Sequence, residues 1–357
     1  MKTKYLPICV LTCFSLILIA GCSKEELNEQ GLFSKANSTA ENTLTSVTAT
    51  YAKGVTGHPL RTSSGAPNLA YMELSFDEQI SAVNQIGATF YRIGLGSKNN
   101  GQCYDATRIH SLVAAANRGH IKLLANVPLT TLNVTTQTEA TAYQAGKDLG
   151  TAVARQYNLY FDYYEIGNEL DNKYIISGSG KNFTDYDTVK MKIAVSYVKG
   201  MHDGLLVEDP TAKTMVNAGW VHWGYMDYVV SQTPIEIVAW HWYSDMETNT
   251  SGSGTTNIAE TLYARYGKPI WFTEINQKNG SAGTYKGVSG EAGQALFFTE
   301  FGAKMNGNSH VGALFAYELF DLNEHTDPNE RNYGLLKWTT PYSVYEEKEA
   351  AEAFRNL

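Results

Sequence analysis

The sequence predicts an α/β protein with a single-domain (β/α)8 barrel, the TIM-barrel architecture, over residues 49–357. Eight short apolar runs alternate with amphipathic helical patterns, and the 357-residue chain is long enough for one large barrel. No low-complexity stretch divides the chain after residue 48. The alternative is an open doubly wound sheet, which usually has a glycine-rich phosphate-binding turn after its first strand. We find no such turn, so the barrel is favoured.

The strand candidates are rich in aromatic and β-branched residues and have turn residues close by. Buried parallel strands have this composition because both of their faces are covered. The candidates are Ala52–Thr56, Phe90–Leu95, Ile121–Val127, Phe161–Asn168, Thr214–Ala218, Ile235–His241, Ile270–Thr273 and Gly312–Tyr317.

Helical patterns occupy the intervals between these strands. Ser75 and Glu78 form a capping box at the start of one helix. Asp105 is a candidate cap for the next, which Gly119 ends. The other predicted helices are Glu139–Tyr157, Asp187–Leu206, a short Tyr225–Val230, Ile258–Tyr266, Glu291–Met305 and a closing Ser343–Phe354.

The first 48 residues predict targeting and tethering. Residues 1–21 have the charged and apolar regions of a signal peptide, and Ile19-Ala20-Gly21-Cys22 resembles a lipobox, in which Cys22 becomes lipidated. A plain secretory signal or a short membrane anchor is the alternative. Residues 22–48 are rich in Ser, Thr, Asn and Glu, which predicts a flexible tether.

Acidic residues directly after Cys22 resemble the surface-export signal of Bacteroidetes lipoproteins. Glu25 and Glu26 carry this resemblance. It implies a protein anchored by lipid to the outer membrane and exposed at the cell surface, or otherwise periplasmic. Contact with the membrane is expected through the lipid anchor only.

Charge and cysteine content argue against several partners and cofactors. The net charge is −8, with 28 basic and 36 acidic residues and no basic cluster, so nucleic acid is not an expected partner. Only Cys103 remains once the signal peptide is removed and Cys22 is lipidated, which leaves no intramolecular disulfide. No spacing of cysteine, histidine and carboxylate residues is typical of a metal site. We therefore expect neither a metal nor another cofactor.

Two of the predicted strands end in a glutamate, Glu169 in YYEIGNEL and Glu274 in KPIWFTEIN. Burying an unpaired charge costs several kcal/mol, so both carboxylates should lie at the open carboxyl ends of the strands. Two glutamates that face one crevice can cleave a glycosidic bond with retention of configuration. Glu165 is the rival of Glu169, but its mid-strand position predicts a buried, hydrogen-bonded role. Period-two alternation places Asn168 on the opposite face.

Asn168-Glu169 after the fourth strand and Glu274 after the seventh resemble the clan A glycoside hydrolases, nearest in pattern to families 39 and 5. The resemblance extends from Lys53 to Trp338. It implies a retaining β-glycoside hydrolase with an oligo- or polysaccharide substrate. Glu169 would be the general acid/base, held protonated near neutrality, and Glu274 the nucleophile.

The same resemblance gives roles to four further residues. Asn168 would donate to the substrate 2-hydroxyl, and Arg92, an inward arginine in FYRIGLG, would pair with the nucleophile. In AWHWYSD, Tyr243 would hydrogen-bond Glu274, and His241 would contact the sugar or the two glutamates. Aromatic packing is the alternative for this His-Trp-Tyr run.

Further candidates for substrate binding follow other strands. His58 after the first strand is equally explained as a turn residue, and Asn126 and Asn217 are candidate hydrogen-bond donors. Tyr317-Glu318 departs from the tryptophan that many clan members have after strand eight, so Trp338 is a candidate for the missing stacking surface. Other stacking candidates are Trp220, Trp223 and Trp242.

Two other functions stay open at this stage. One is a surface glycan-binding protein on a non-catalytic barrel, although both glutamates are present. The other is a transglycosylase that uses the same double displacement, since water and a sugar compete for the same intermediate.

Overall fold

A computed structural model describes residues 51–60, 69–104, 106–248 and 257–357. The predictions for Cys22, the tether and the Asp105 cap lie outside these residues. Eight parallel strands form a closed barrel in which each strand pairs with the next along the chain, and the eighth closes on the first. They are Ala52–Gly57, Phe90–Gly94, Lys122–Val127, Tyr163–Ile166, Lys213–Gly219, Ile237–Tyr243, Ile270–Asn276 and Val311–Ala316. The prediction of a (β/α)8 barrel is confirmed.

Packed side chains close the barrel at the end where the strands begin. The rings of Phe90, Trp271 and Phe315 contact one another with centroids 5.5–5.9 Å apart. The first strand must come close to this cluster, since a Cβ on its Gly54 would lie 2.3 Å from the Phe315 ring. The barrel is therefore filled with side chains at this end, and its chemistry belongs at the other end.

Helices surround the barrel, and the Ser75–Glu78 capping box forms as predicted. The α-helices are Leu69–Met72, Phe76–Gln85, Ala106–Arg118, Glu139–Tyr157, Thr188–Glu208, Trp223–Gln232, Ser244–Thr248, Ile258–Tyr266, Gly290–Met305 and Glu349–Arg355. Short 3-10 turns lie at Leu170–Asn172, Phe183–Asp185, Gly280–Ala282 and Pro328–Glu330. Within the described ranges, no helix is both long enough and apolar enough to cross a membrane.

The end of the chain differs from the prediction of one helix over Ser343–Phe354. Leu336–Thr340 and Val344–Glu347 form an antiparallel hairpin, and only Glu349–Arg355 is helical. Tyr342 has φ = 59° at the turn of this hairpin. The helical prediction therefore missed a reversal of the chain. A second small hairpin pairs Thr284–Tyr285 with Val288–Ser289.

Candidate active site

The fourth strand ends earlier than predicted, and this changes which side chains point into the barrel mouth. Gly167 has φ = 74° and Glu169 has φ = 47°, so the backbone leaves the extended conformation after Ile166. The prediction that Asn168 lies on the opposite face from the catalytic residues is therefore wrong. Its Oδ1 accepts a 2.8 Å hydrogen bond from Nη2 of Arg92. Asn168 and Glu169, although adjacent in sequence, therefore both face the barrel mouth.

Two asparagines from neighbouring strands hold this irregular turn. Asn126 and Asn217 both donate to the Gly167 carbonyl, over 2.6 and 3.1 Å. Asn217 Oδ1 also accepts from the Glu169 backbone amide over 2.7 Å. Both asparagines were candidates for substrate contact, but these bonds use them to position Glu169.

A similar irregularity brings Glu274 inward on the seventh strand. His241 on the sixth strand pairs with Glu274 while Trp240 pairs with Phe272, so Thr273 is an extra residue in the ladder. Such a β-bulge allows adjacent side chains to face the same side. Thr273 accordingly donates to Glu165 Oε1 over 2.8 Å.

Glu274 is nearly buried, with 7% of its side chain exposed, and both of its oxygens have donors. Nη1 of Arg92 donates to Oε1 over 2.8 Å, and the Tyr243 hydroxyl donates to Oε2 over 2.8 Å. A guanidinium and a hydroxyl donor both favour an ionised carboxylate. The expected contacts of Arg92 and Tyr243 with Glu274 therefore both form.

Glu165 lies beneath these groups and is fully buried. Nε of Arg92 donates to its Oε2 over 2.5 Å, and Asn217 donates to its Oε1 over 2.8 Å. Burial raises the pKa of this carboxyl, but Arg92 and then His241 outweigh burial and hold the pKa well below its usual range. Glu165 is thus an ionised anchor for Arg92, away from the open mouth.

His241 lies between the two glutamates. Its Nδ1 is 2.9 Å from Oε1 of Glu169 and 3.4 Å from Oε2 of Glu274. Burial lowers the pKa of the imidazole, but Glu274, Glu165 and Glu169 outweigh this effect and raise it to about 10. His241 is therefore an imidazolium near neutral pH, and its Nδ1 donates to Glu169.

This contact corrects the expectation that Glu169 is protonated near neutrality in the free protein. Burial raises the pKa of Glu169, but the hydrogen bond and charge of His241, with smaller effects of Asn172 and Arg92, lower it to about 2. Glu169 and His241 therefore share one proton, and it resides on the imidazole. Glu169 remains accessible, with 39% of its side chain exposed.

The two glutamates are close enough to act on one bond. One oxygen of Glu169, one nitrogen of His241 and one oxygen of Glu274 all lie within 4.8 Å of one another. Carboxyl groups of retaining glycosidases lie about 5–5.5 Å apart, and those of inverting enzymes about 6.5–9.5 Å. The same three atoms could also hold a metal ion, so the expected lack of a metal stays a prediction.

Two other predicted residues lie in different surroundings. His58 is 19% exposed, and its Nε2 lies 3.3 Å from Oε2 of the buried Glu318. Trp338 donates from its indole nitrogen to the Asp321 carbonyl and stacks on Phe320 with ring centroids 5.0 Å apart. These contacts explain Trp338 as part of an aromatic cluster and give no support for contact with sugar.

Three more aromatic residues show where the stacking surface can and cannot be. Trp242 is fully buried, and Trp223 stacks on buried Trp240 with centroids 5.1 Å apart. Tyr317 follows the eighth strand, is partly exposed, and its hydroxyl donates to Glu330 over 3.2 Å. From the sequence, Tyr317 was only a departure from tryptophan and Glu330 was not a candidate, because no local pattern links these two residues.

Residues 198–341 match a family model described as "Glycosyl hydrolase catalytic core". This segment includes His241, Tyr243 and Glu274 but not Glu169. The match supports the prediction that the chain is a glycosidase. No curated protein matched the chain.

Solved structures of glycosidases have the same fold. A family 1 β-glucosidase from Thermotoga maritima aligns with a TM-score of 0.61 and 10% identity, over 86% of this chain and 97% of that one. Fpglu1 from Fervidobacterium pennivoraus aligns at 0.61 and 12%, over 86% and 94%. A family 39 glycoside hydrolase from the gut symbiont Bacteroides cellulosilyticus WH2 aligns at 0.57 and 14%, over 85% and 62%. At these identities the likeness shows the fold alone.

Proposed function

We propose that the protein is a retaining β-glycoside hydrolase that cleaves a β-linked oligo- or polysaccharide by double displacement. The observation that carries the proposal is the pair Glu169 and Glu274, with an oxygen of each within 4.8 Å of the other across His241. This separation is near the roughly 5–5.5 Å of retaining enzymes and shorter than the roughly 6.5–9.5 Å of inverting ones. The β-glucosidase among the proteins of similar fold is consistent with a β-linked substrate.

In the first step, a Glu274 oxygen attacks the anomeric carbon while the bond to the leaving oxygen breaks. Glu169 protonates that oxygen and receives its proton from Nδ1 of His241, 2.9 Å away. The products are a glycosyl ester of Glu274 and the free leaving group. In the second step, Glu169 takes a proton from water, whose oxygen displaces Glu274 from the anomeric carbon, and passes that proton back to Nδ1 of His241.

Asn168 is suited to orient the glycone. Arg92 Nη2 donates to its Oδ1, and Asn168 is exposed. Nδ2 has no hydrogen-bond partner within the described ranges. It can therefore donate to the substrate 2-hydroxyl, a contact that strengthens in the transition state.

The experiment that tests the proposal follows the first-formed product by NMR with a panel of aryl β-glycosides and β-glucans. A retained anomer is expected, and an inverted first product would contradict the mechanism. Glu274→Gly should abolish turnover, and added azide should restore it by forming a glycosyl azide of inverted configuration. Longer oligosaccharide products would indicate transglycosylation, and binding without any turnover would indicate a glycan-binding barrel.

A further inference from the structure

The turn after the fifth strand, Gly219–His222, has an unusual backbone beside the general acid. Trp220 has φ = 47°, in the left-handed region, which is a genuine outlier for a bulky residue. Residues in such strained conformations persist where the surrounding structure fixes them, and they are concentrated at functional sites.

Asp171 fixes this turn at two points. It is fully buried, and its Oδ2 accepts from the Gly219 amide over 2.9 Å and from Nδ1 of His222 over 2.5 Å. Asp171 is the second residue after Glu169, whose own amide donates to Asn217 on the same fifth strand. The position of Trp220 is therefore coupled to that of the general acid through one short, buried network.

Trp220 places an aromatic face beside the edge of the nearly buried His222 ring, whose side chain is 7% exposed. Trp220 is partly exposed, and the two rings meet edge to face with centroids 5.8 Å apart. Nε2 of His222 has no hydrogen-bond partner in the described part of the chain and is not among its fully buried atoms. Nε1 of Trp220 is buried and unpaired among the same residues. An aromatic face with a few polar groups is typical of a ligand site.

We infer that Trp220 and His222 bind the leaving-group side of the substrate, with the ring of a second sugar stacked on Trp220 and one of its hydroxyls bonded to Nε2 of His222. This inference rests on the proposed function. Glu169 protonates the leaving oxygen, so the leaving group binds beside Glu169. The Gly219–His222 turn is joined to the Glu169 segment through Asn217 and Asp171, whereas Arg92 and Tyr243 bond to Glu274. Asp171 acts as a positioning residue for this subsite.

The test compares two substrates with the same glycone, a β-linked oligosaccharide and the corresponding glycosyl fluoride. Fluoride has no ring to stack and needs no general acid. Trp220→Ala should lower kcat/KM for the oligosaccharide about tenfold, the size expected for one lost aromatic contact. The kcat/KM of Trp220→Ala for the fluoride should stay within about twofold of the wild-type value. Trp220→Phe should restore part of the loss, and Tyr263→Ala, an exposed aromatic on an outer helix, is the control.

The inference would be overturned if folded Trp220→Ala had the wild-type kcat/KM on both substrates. It would also be overturned if the variant lost kcat/KM equally on both. Oligosaccharide binding to the Glu274→Gln protein, followed by calorimetry, separates this result from failure of the proposed function. If the wild type hydrolyses nothing but Trp220→Ala weakens binding, the sugar site stands and the hydrolase proposal fails. If turnover is retained and binding in the Glu274→Gln background is unaffected by Trp220→Ala, only the subsite inference fails.

Discussion

His241 donates from Nδ1 to Oε1 of Glu169 over 2.9 Å, and the same nitrogen lies 3.4 Å from Oε2 of Glu274. One imidazolium therefore faces both of the proposed catalytic carboxylates. In the proposed mechanism Glu274 loses its negative charge when it becomes an ester, and His241 becomes neutral because its proton has passed through Glu169 to the leaving group. The lost repulsion from Glu274 and the remaining charge of Arg92 both favour the ionised form of Glu169, which the second step needs as a base.

The first prediction separates Glu169 from its rival Glu165. Glu169→Ala should lower kcat/KM for alkyl or sugar leaving groups by about 10²–10⁴-fold, the contribution of a general acid. A dinitrophenyl glycoside, whose leaving group needs no protonation, should react in the first step at nearly the wild-type rate. Glu165→Gln removes the partner of Arg92 and should reduce activity on all substrates alike. The reverse pattern in a substrate series would show that Glu165 is the acid.

The second prediction concerns the proton shared by His241 and Glu169. The pKa of His241 is raised to about 10, so the wild type should keep its acid function far into the alkaline range. In His241→Asn the proton must reside on Glu169 alone, and the alkaline limb of kcat/KM should move to lower pH. The measurement is a pH–rate profile with a poor leaving group. Tyr243→Phe, which alters the hydrogen bond to Glu274, should leave that limb in place, and an unshifted limb in His241→Asn would contradict the shared proton.

The sequence predicted the barrel and all eight strands because buried parallel strands have a simple composition. The contacts of Glu274 with Arg92 and Tyr243 were implied by the resemblance to clan A glycoside hydrolases, and both form. The period-two rule, which assigns alternate side chains of a strand to opposite faces, failed where the backbone departs from extended geometry. Gly167 gives a local signal for such a departure, but the left-handed Glu169 and the extra Thr273 do not.

The low pKa of Glu169 could not be predicted from its neighbours in sequence. It depends on the imidazole of residue 241, which barrel closure brings to the carboxylate. The Asp171–His222 pair was missed for the same reason, because 51 residues separate its members. Electrostatic properties of the site are thus set by contacts between strands, whereas the fold follows from patterns within them.

The third prediction concerns the closely packed helices Glu139–Tyr157 and Thr188–Glu208. Gly146 and Gly150 face Gly200 and Gly204 on neighbouring helices, and a Cβ on Gly200 would lie 1.9 Å from the Tyr143 carbonyl oxygen. Glycine within a helix costs about 1 kcal/mol relative to alanine, so four of them at four-residue spacing indicate close backbone contact. Gly200→Ala should lower the free energy of unfolding by about 1–3 kcal/mol, measured by urea denaturation.

Gly94→Ala is the matched control for this substitution. A Cβ at Gly94 would meet no heavy atom within 4 Å, and its backbone is not left-handed. Equal stabilities of the two variants would show that the helices can separate without loss.

The fourth prediction concerns the proposed lipid anchor. Cys22→Ala should move the protein from the membrane fraction to the soluble fraction, because a single cysteine carries the lipid. The kcat of the released protein should be unchanged, since residue 22 lies outside the predicted barrel. Cys103→Ala, which removes a buried cysteine of the barrel, is the control and should fractionate as the wild type does. A Cys22→Ala protein that stays with the membrane would refute lipid anchoring.

The fifth prediction concerns Glu318, a fully buried carboxyl beside Tyr71 and His58. Burial raises its pKa well above the usual value of 4.5, the hydrogen bond from Tyr71 opposes this, and the charges of Glu330, Asp321 and Glu274 add to it. The folded protein therefore holds a proton that the unfolded chain releases above about pH 4.5. This contribution to stability is present at low pH and is lost as the pH rises toward the folded-state pKa.

Glu318→Gln should accordingly match the wild type in free energy of unfolding near pH 4 and gain on it progressively up to pH 8. Glutamine imitates the protonated acid and cannot ionise, so the variant does not have to carry a buried charge. Urea denaturation at a series of pH values gives the difference, with the exposed Glu73→Gln as the control for loss of one carboxyl. The opposite trend, with Glu318→Gln losing stability as the pH rises, would mean that Glu318 is ionised. Its partner would then be His58, whose Nε2 lies 3.3 Å from Oε2.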